Sequence, residues 1–161
     1  MSSDTRPDPE SGSTDFDLDE AIGFLIEVTE QLMKRELRKS FRRHGYDITP
    51  YQWIVLHRLA HTDGLNQAEI AELTTRDRPN ITRIIDVMER RKLIERRTSE
   101  RDRRVNKVFL TAVGRSVYEG LPEIVARHLK NATRGIRDPD IETVKAVLRE
   151  IARNLQGSHD H

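Results

Sequence analysis

The chain has 161 residues, and its 28 Lys+Arg against 27 Asp+Glu leave a formal net charge of +1 although 34% of the residues are charged. That length suits one ordinary domain, or a small module joined to an oligomerisation element, and excludes two large domains. With no cysteine, disulfides, thiolate metal sites and thiol redox sensing are excluded. No apolar run approaches the roughly 20 residues of a bilayer span, and the N-terminus is acidic where a secretory leader would be basic and then apolar, so a cytoplasmic chain with no membrane partner is expected.

The charge is segregated along the chain. Residues 1–30 hold nine acids against the single base Arg6, whereas residues 76–107 hold twelve bases against six acids. A surface that faces phosphate needs such a distribution.

Residues 1–14 are rich in Ser, Asp, Pro and Gly with no large apolar side chain after Met1, which predicts a disordered acidic tail. From Leu18, the apolar positions Ile22, Leu25, Ile26, Leu32, Met33, Leu37 and Phe41 recur at spacings of three and four, one face of a long helix that stops near Gly45. Thr49-Pro50-Tyr51-Gln52 is a capping box with proline at the first helical position. Trp53, Leu56, Leu59 and Ala60 supply the buried stripe of that second helix, which Asp63-Gly64 ends with a turn. Asn66-Gln67-Ala68-Glu69 caps a third, short helix bearing Ile70 and Leu73. A fourth helix starts around Asp77, has Pro79 in its first turn, buries Ile81, Ile84, Ile85 and Met88, and leaves Arg78, Thr82, Arg83 and Asp86 on other faces. Two short helices joined by a tight turn, the second presenting polar groups, form a helix-turn-helix.

Beyond Leu93, the stretches Ile94 to Thr98 and Val105 to Thr111 alternate with period two around the polar Ser99–Arg104, which predicts a β-hairpin whose tip points at solvent or a polyanion. From Thr111 one long helix carries Val113, Val117, Leu121, Ile124, Val125 and Leu129. Asp138-Pro139 caps a last helix with Ile141, Val144, Val147, Leu148, Ile151 and Leu155. The first helix and these two are strongly amphipathic, and a second copy of the chain would bury them most simply. The fold class is mainly α with a small β-hairpin.

Several blocks, in order, resemble the MarR family of winged-helix regulators: Thr-Pro-Tyr-Gln-Trp-Ile-Val-Leu from Thr49, Asn-Gln-Ala-Glu-Ile-Ala-Glu-Leu from Asn66, Ile-Thr-Arg-Ile-Ile-Asp-Val-Met-Glu-Arg-Arg-Lys-Leu-Ile-Glu-Arg-Arg from Ile81, Asp-Arg-Arg-Val from Asp102 and Leu-Thr-Ala-Val-Gly-Arg from Leu110. The resemblance implies a winged helix-turn-helix lobe at 49–111, a dimerisation helix at 15–48, dimerisation helices at 112–155 and a flexible tail at 156–161. It implies a homodimeric transcription regulator, a repressor in the first instance, on a pseudo-palindromic operator in double-stranded DNA.

Carried over residue by residue, the recognition positions are Arg76, Arg78, Pro79, Asn80, Thr82 and Arg83. Arg78, Thr82 and Arg83 lie close enough on one helix to face the major groove together, Arg toward guanine edges and Thr toward phosphate or a thymine methyl. Asn80 suits either an adenine edge or a helix cap. In the wing, the Asp-x-Arg pattern falls on Asp102 and Arg104, flanked by Arg101 and Arg103. Arg104 would enter the narrow minor groove while Asp102 holds its guanidinium.

The resemblance also implies release by a small aromatic or anionic effector in a crevice near Met33, Tyr51, Trp53 and His57. Two departures from the family pattern stand out. Lys92 replaces a glycine after the recognition helix, so that either a left-handed cap there costs about 1 kcal/mol without glycine or the turn differs, and Val105 replaces a small residue after the wing arginine.

His57 and His61 have the spacing of a helical metal pair, with His44 near in sequence, but two or three surface histidines without cysteine are a weak signal, and no metal or cofactor is expected. There is no Gly-x-Ser-x-Gly elbow and no phosphate-cradling glycine loop, so an enzyme is not expected. A winged-helix adaptor that binds protein would show exposed aromatics at its wing, where this chain offers arginines.

Overall fold

The computed structural model describes residues 17–74, 78–99 and 105–157, with the side chains of Arg78 and Pro79 outside that description. Its elements run α1 (Ile22–Arg43), α2 (Pro50–His61), β1 (Leu65–Asn66), α3 (Gln67–Leu73), α4 (Arg78–Arg90), β2 (Ile94–Thr98), β3 (Asn106–Leu110), α5 (Ala112–Glu119), α6 (Pro122–Ala132) and α7 (Asp138–Gly157). The expected acidic tail at 1–14 lies outside the described residues.

Both capping boxes form. Thr49 Oγ1 accepts from the Gln52 N–H at 3.2 Å and Gln52 Oε1 accepts from the Thr49 N–H at 3.0 Å, while Asn66 Oδ1 and Glu69 Oε2 make the equivalent pair at 2.9 and 2.6 Å. Each box satisfies N–H groups that a helix start leaves without intrahelical partners. α1 ends where the Gly45 N–H reaches the Arg42 carbonyl and the Tyr46 N–H reaches Phe41. Gly45 has φ +83°, a conformation open to glycine because it has no Cβ.

The hairpin expected from the alternating residues is β2 and β3, in register from Ile94 opposite Leu110 to Thr98 opposite Asn106. β1, where the sequence predicts a turn followed by a helix cap, adds a third strand by pairing Leu65 with Val108. β3 is central in the antiparallel sheet. A two-residue strand is too short to display any period.

The single long helix expected after Thr111 is two helices. Pro122 has no N–H to give to the Tyr118 carbonyl, and the Leu121 N–H takes that carbonyl instead at 3.0 Å, so α5 closes and α6 starts afresh with Pro122 in its first turn. α7 continues through Gly157, into the stretch expected as a flexible tail.

One core joins these elements, with Phe41, Val55, Leu56, Leu59, Ile70, Ile81, Ile85, Met88, Ile94, Val108 and Leu121 fully buried. α7 has no buried residue in the single chain. Ile22, Leu25, Ile26 and Leu32 of α1 are exposed, as are Val144, Val147, Leu148 and Leu155 of α7.

Candidate nucleic-acid interface

α3 and α4 pack through Ile70, Ala71, Ile81, Ile85 and Met88, all in the common core. Gln67 Nε2 donates to Thr82 Oγ1 at 3.3 Å across the pair. With Ile81 and Ile85 inward, Asn80, Thr82 and Arg83 are exposed on α4. Arg76, Arg101, Asp102, Arg103 and Arg104, and the side chains of Arg78 and Pro79, lie outside the described residues.

The turn after α4 has the geometry its sequence makes costly. The Leu93 N–H bonds the Met88 carbonyl and the Lys92 N–H bonds Glu89, with Lys92 at φ 58° in the place that glycine favours. Thr111 straps this turn: its Oγ1 donates to the Lys92 carbonyl at 2.6 Å and its N–H to the Leu93 carbonyl at 3.2 Å.

Several bases of the positive segment are paired within the protein, Arg96 largely covered and Arg91 and Arg97 at the surface. Arg96, at 20% side-chain exposure, reaches Asp86 Oδ1 at 2.5 Å and also bonds Glu89. Burial works against its charge, but the hydrogen bonds to Asp86 and Glu89 outweigh that, so its pKa lies above the ordinary arginine value. Arg97 pairs with Glu95 and lies over the Phe109 ring at 4.7 Å. Arg91 lies 3.4 Å from Gln52 Oε1 and 3.7 Å from Asp47. The charge count along 76–107 therefore overstates what is offered to phosphate. These pairings are not legible in the sequence, because the acids lie within the same basic stretch or, for Asp47, on a distant segment.

The four crevice residues do not share one crevice. Tyr51 lines a cleft of about 540 Å³ between α1, α2 and α4, together with Lys34, Arg35, Arg38 and Arg83, and Lys34 Nζ lies 4.2 Å from the centre of its ring. Met33 lines a separate cavity of about 710 Å³ between α1 and α6, with Glu36 and His128. Trp53 stacks on Tyr118 with ring centres 5.6 Å apart, and His57 Nδ1 is 3.3 Å from the Tyr118 hydroxyl. His57 and His61 have ring centres 4.4 Å apart. Burial first, then the charges of His61 and Arg58, push the His57 pKa down. Among the described residues no group of three His, Asp or Glu converges as a metal site would require.

Residues 46–105 match the model of the MarR family. The uncharacterized HTH-type transcriptional regulator YybA of Bacillus subtilis (strain 168) is 24% identical over 135 residues, which is 84% of this chain and 86% of that protein. The structure of the transcriptional repressor CouR bound to a 23-mer DNA duplex superposes with a TM-score of 0.76 at 29% identity, over 84% of this chain and 94% of that one. The MepR–DNA complex of S. aureus has the same fold, with a TM-score of 0.74 at 24% identity, 85% of this chain and 98% of that chain being covered. The helix-turn-helix, the hairpin behind it and these likenesses agree: residues 46–105 form a MarR family domain, in a chain with the fold of the MarR-family regulators.

Proposed function

We propose that the chain binds a pseudo-palindromic operator as a homodimer and represses transcription by occluding it. The carrying observation is α4 itself, with Ile81, Ile85 and Met88 fully buried while Asn80, Thr82 and Arg83 are exposed. Such a helix is held rigidly by its apolar face and offers base- and phosphate-reading groups on the other. The family resemblance adds Arg76 and Arg78 to the recognition positions, and assigns the minor groove to Arg104 among the wing positions Arg101, Asp102, Arg103 and Arg104. The repressor reading is supported by CouR, which shares 29% of its residues with this chain and is a repressor seen on DNA.

The dimer reading rests on the apolar faces of α1 and α7 that the protomer leaves exposed, since soluble chains rarely leave contiguous patches of that kind open. A symmetric dimer matches a symmetric operator. The cleft beside Tyr51 suits a small aromatic or anionic effector, because its wall carries Lys34, Arg38 and Arg83 around an aromatic ring. Arg83 belongs both to this cleft and to the outward face of α4, so an anion held there would compete with DNA for the same guanidinium.

Selection of bound duplexes from a random pool at two salt concentrations tests the central reading. An enriched inverted repeat with steep salt dependence is expected. Weak, salt-insensitive binding without enrichment would favour a protein-docking role and overturn it.

A further inference from the structure

We propose that Arg96 is a positioning residue that fixes the wing against the recognition helix, and not one of the phosphate contacts that its place in the basic segment suggests. The inference rests on the operator-binding reading above.

Arg96 lies on β2 with its side chain largely covered, and its two terminal nitrogens go to two different carboxylates of α4, Asp86 and Glu89. The Arg96 backbone N–H also donates to Glu89 Oε1 at 3.0 Å. Glu89 therefore holds both the main chain and the side chain of the strand. A guanidinium presents its donors in one rigid plane, and this one is turned toward the two carboxylates of α4 with its side chain 20% exposed, away from a phosphate outside. Two acids and one base also leave the trio with a net charge of −1, which repels a polyanion.

The clamp stands near the root of the hairpin. Ser99 is three residues further along the strand, roughly 10 Å at about 3.3 Å per residue, so a swing of about 10° at Arg96 would carry it roughly 2 Å. That displacement is enough to spoil hydrogen bonds to the minor groove. Wing and recognition helix must reach adjacent grooves together, and the Arg96 clamp sets the angle between them.

The test uses the full chain and the operator recovered by selection, with affinity measured over a range of salt for operator and for random duplex. Glu89→Gln keeps the size of the side chain and removes a negative charge. If Arg96 positions the wing, E89Q weakens operator binding about tenfold, as is usual when a supporting group behind a binding residue is lost. Random duplex, which the wing also serves, should weaken with it, as on loss of Arg104. Arg96→Lys, which keeps the charge and loses the fork, should behave in the same way.

A phosphate contact predicts otherwise: E89Q would tighten binding by releasing Arg96, and R96K would bind nearly as the wild type does. Tighter or unchanged operator binding by E89Q overturns the proposal. Asp86→Asn, which leaves the Glu89 contacts in place, serves if E89Q does not fold and should show a smaller loss of the same kind. A wild-type chain that enriches no operator would instead overturn the operator-binding reading.

Discussion

Gly114 is pressed against the backbone of Leu93 so closely that a β-carbon at this position would lie 1.8 Å from the Leu93 carbonyl oxygen. That oxygen already accepts the Thr111 N–H, so neither it nor the start of α5 has room to yield. Alanine normally stabilises a helix interior by about 1 kcal/mol over glycine. Here the sign reverses: Gly114→Ala should lose about 3 kcal/mol or fail to fold, as overpacking against backbone does. Urea midpoints of the purified variant check this, and a gain in stability would show that α5 can shift off the turn.

Lys92 is exposed and has φ 58°, which an L side chain adopts at a cost of about 1–2 kcal/mol. Lys92→Gly should therefore raise stability by about 0.5–1 kcal/mol after the greater freedom of the unfolded chain is subtracted. Lys92→Val should do the reverse, since a β-branched side chain is the least tolerant of this region. Thermal or urea unfolding of the two variants should bracket the wild type.

His128 is 9% exposed and lies in the cavity between α1 and α6. Burial pushes its pKa below the ordinary 6.5, with the Glu36 carboxylate opposing. Its contribution to stability is therefore fully present above pH 6.5. It is lost as pH falls from there through the lowered folded value, because the unfolded chain takes up the proton first. Glu36→Gln removes the opposing charge and should move the His128 titration, followed by NMR, further down; an upward move would place the dominant partner elsewhere.

Arg83 and Arg104 should fail in different ways. Arg83→Ala is expected to cost about 1–3 kcal/mol on the selected operator and to relax preference at one position of each half-site. Arg104→Ala is expected to weaken all sequences and lower the salt slope by about one, with the largest loss where the minor groove is narrow. Unchanged affinity in R104A would remove the wing from the DNA interface.

What the sequence by itself determined is what depends on near neighbours along the chain. Thr49 with Gln52 and Asn66 with Glu69 are three residues apart, so the capping chemistry could be read directly. The alternation that makes β2 and β3 and the apolar period that turns Ile81, Ile85 and Met88 inward are likewise local. Tertiary structure alone decided which distant side chains meet. It spread the Arg96 guanidinium over Asp86 and Glu89, removing it from the charge offered to DNA, and it added β1 through a pairing with β3 some forty residues away. It also dispersed Met33, Tyr51 and Trp53 among two cavities and an aromatic stack. Periodicity tells which face of an element is buried, but the partner across that face is set by how whole helices and strands pack, and no spacing within one element carries that information.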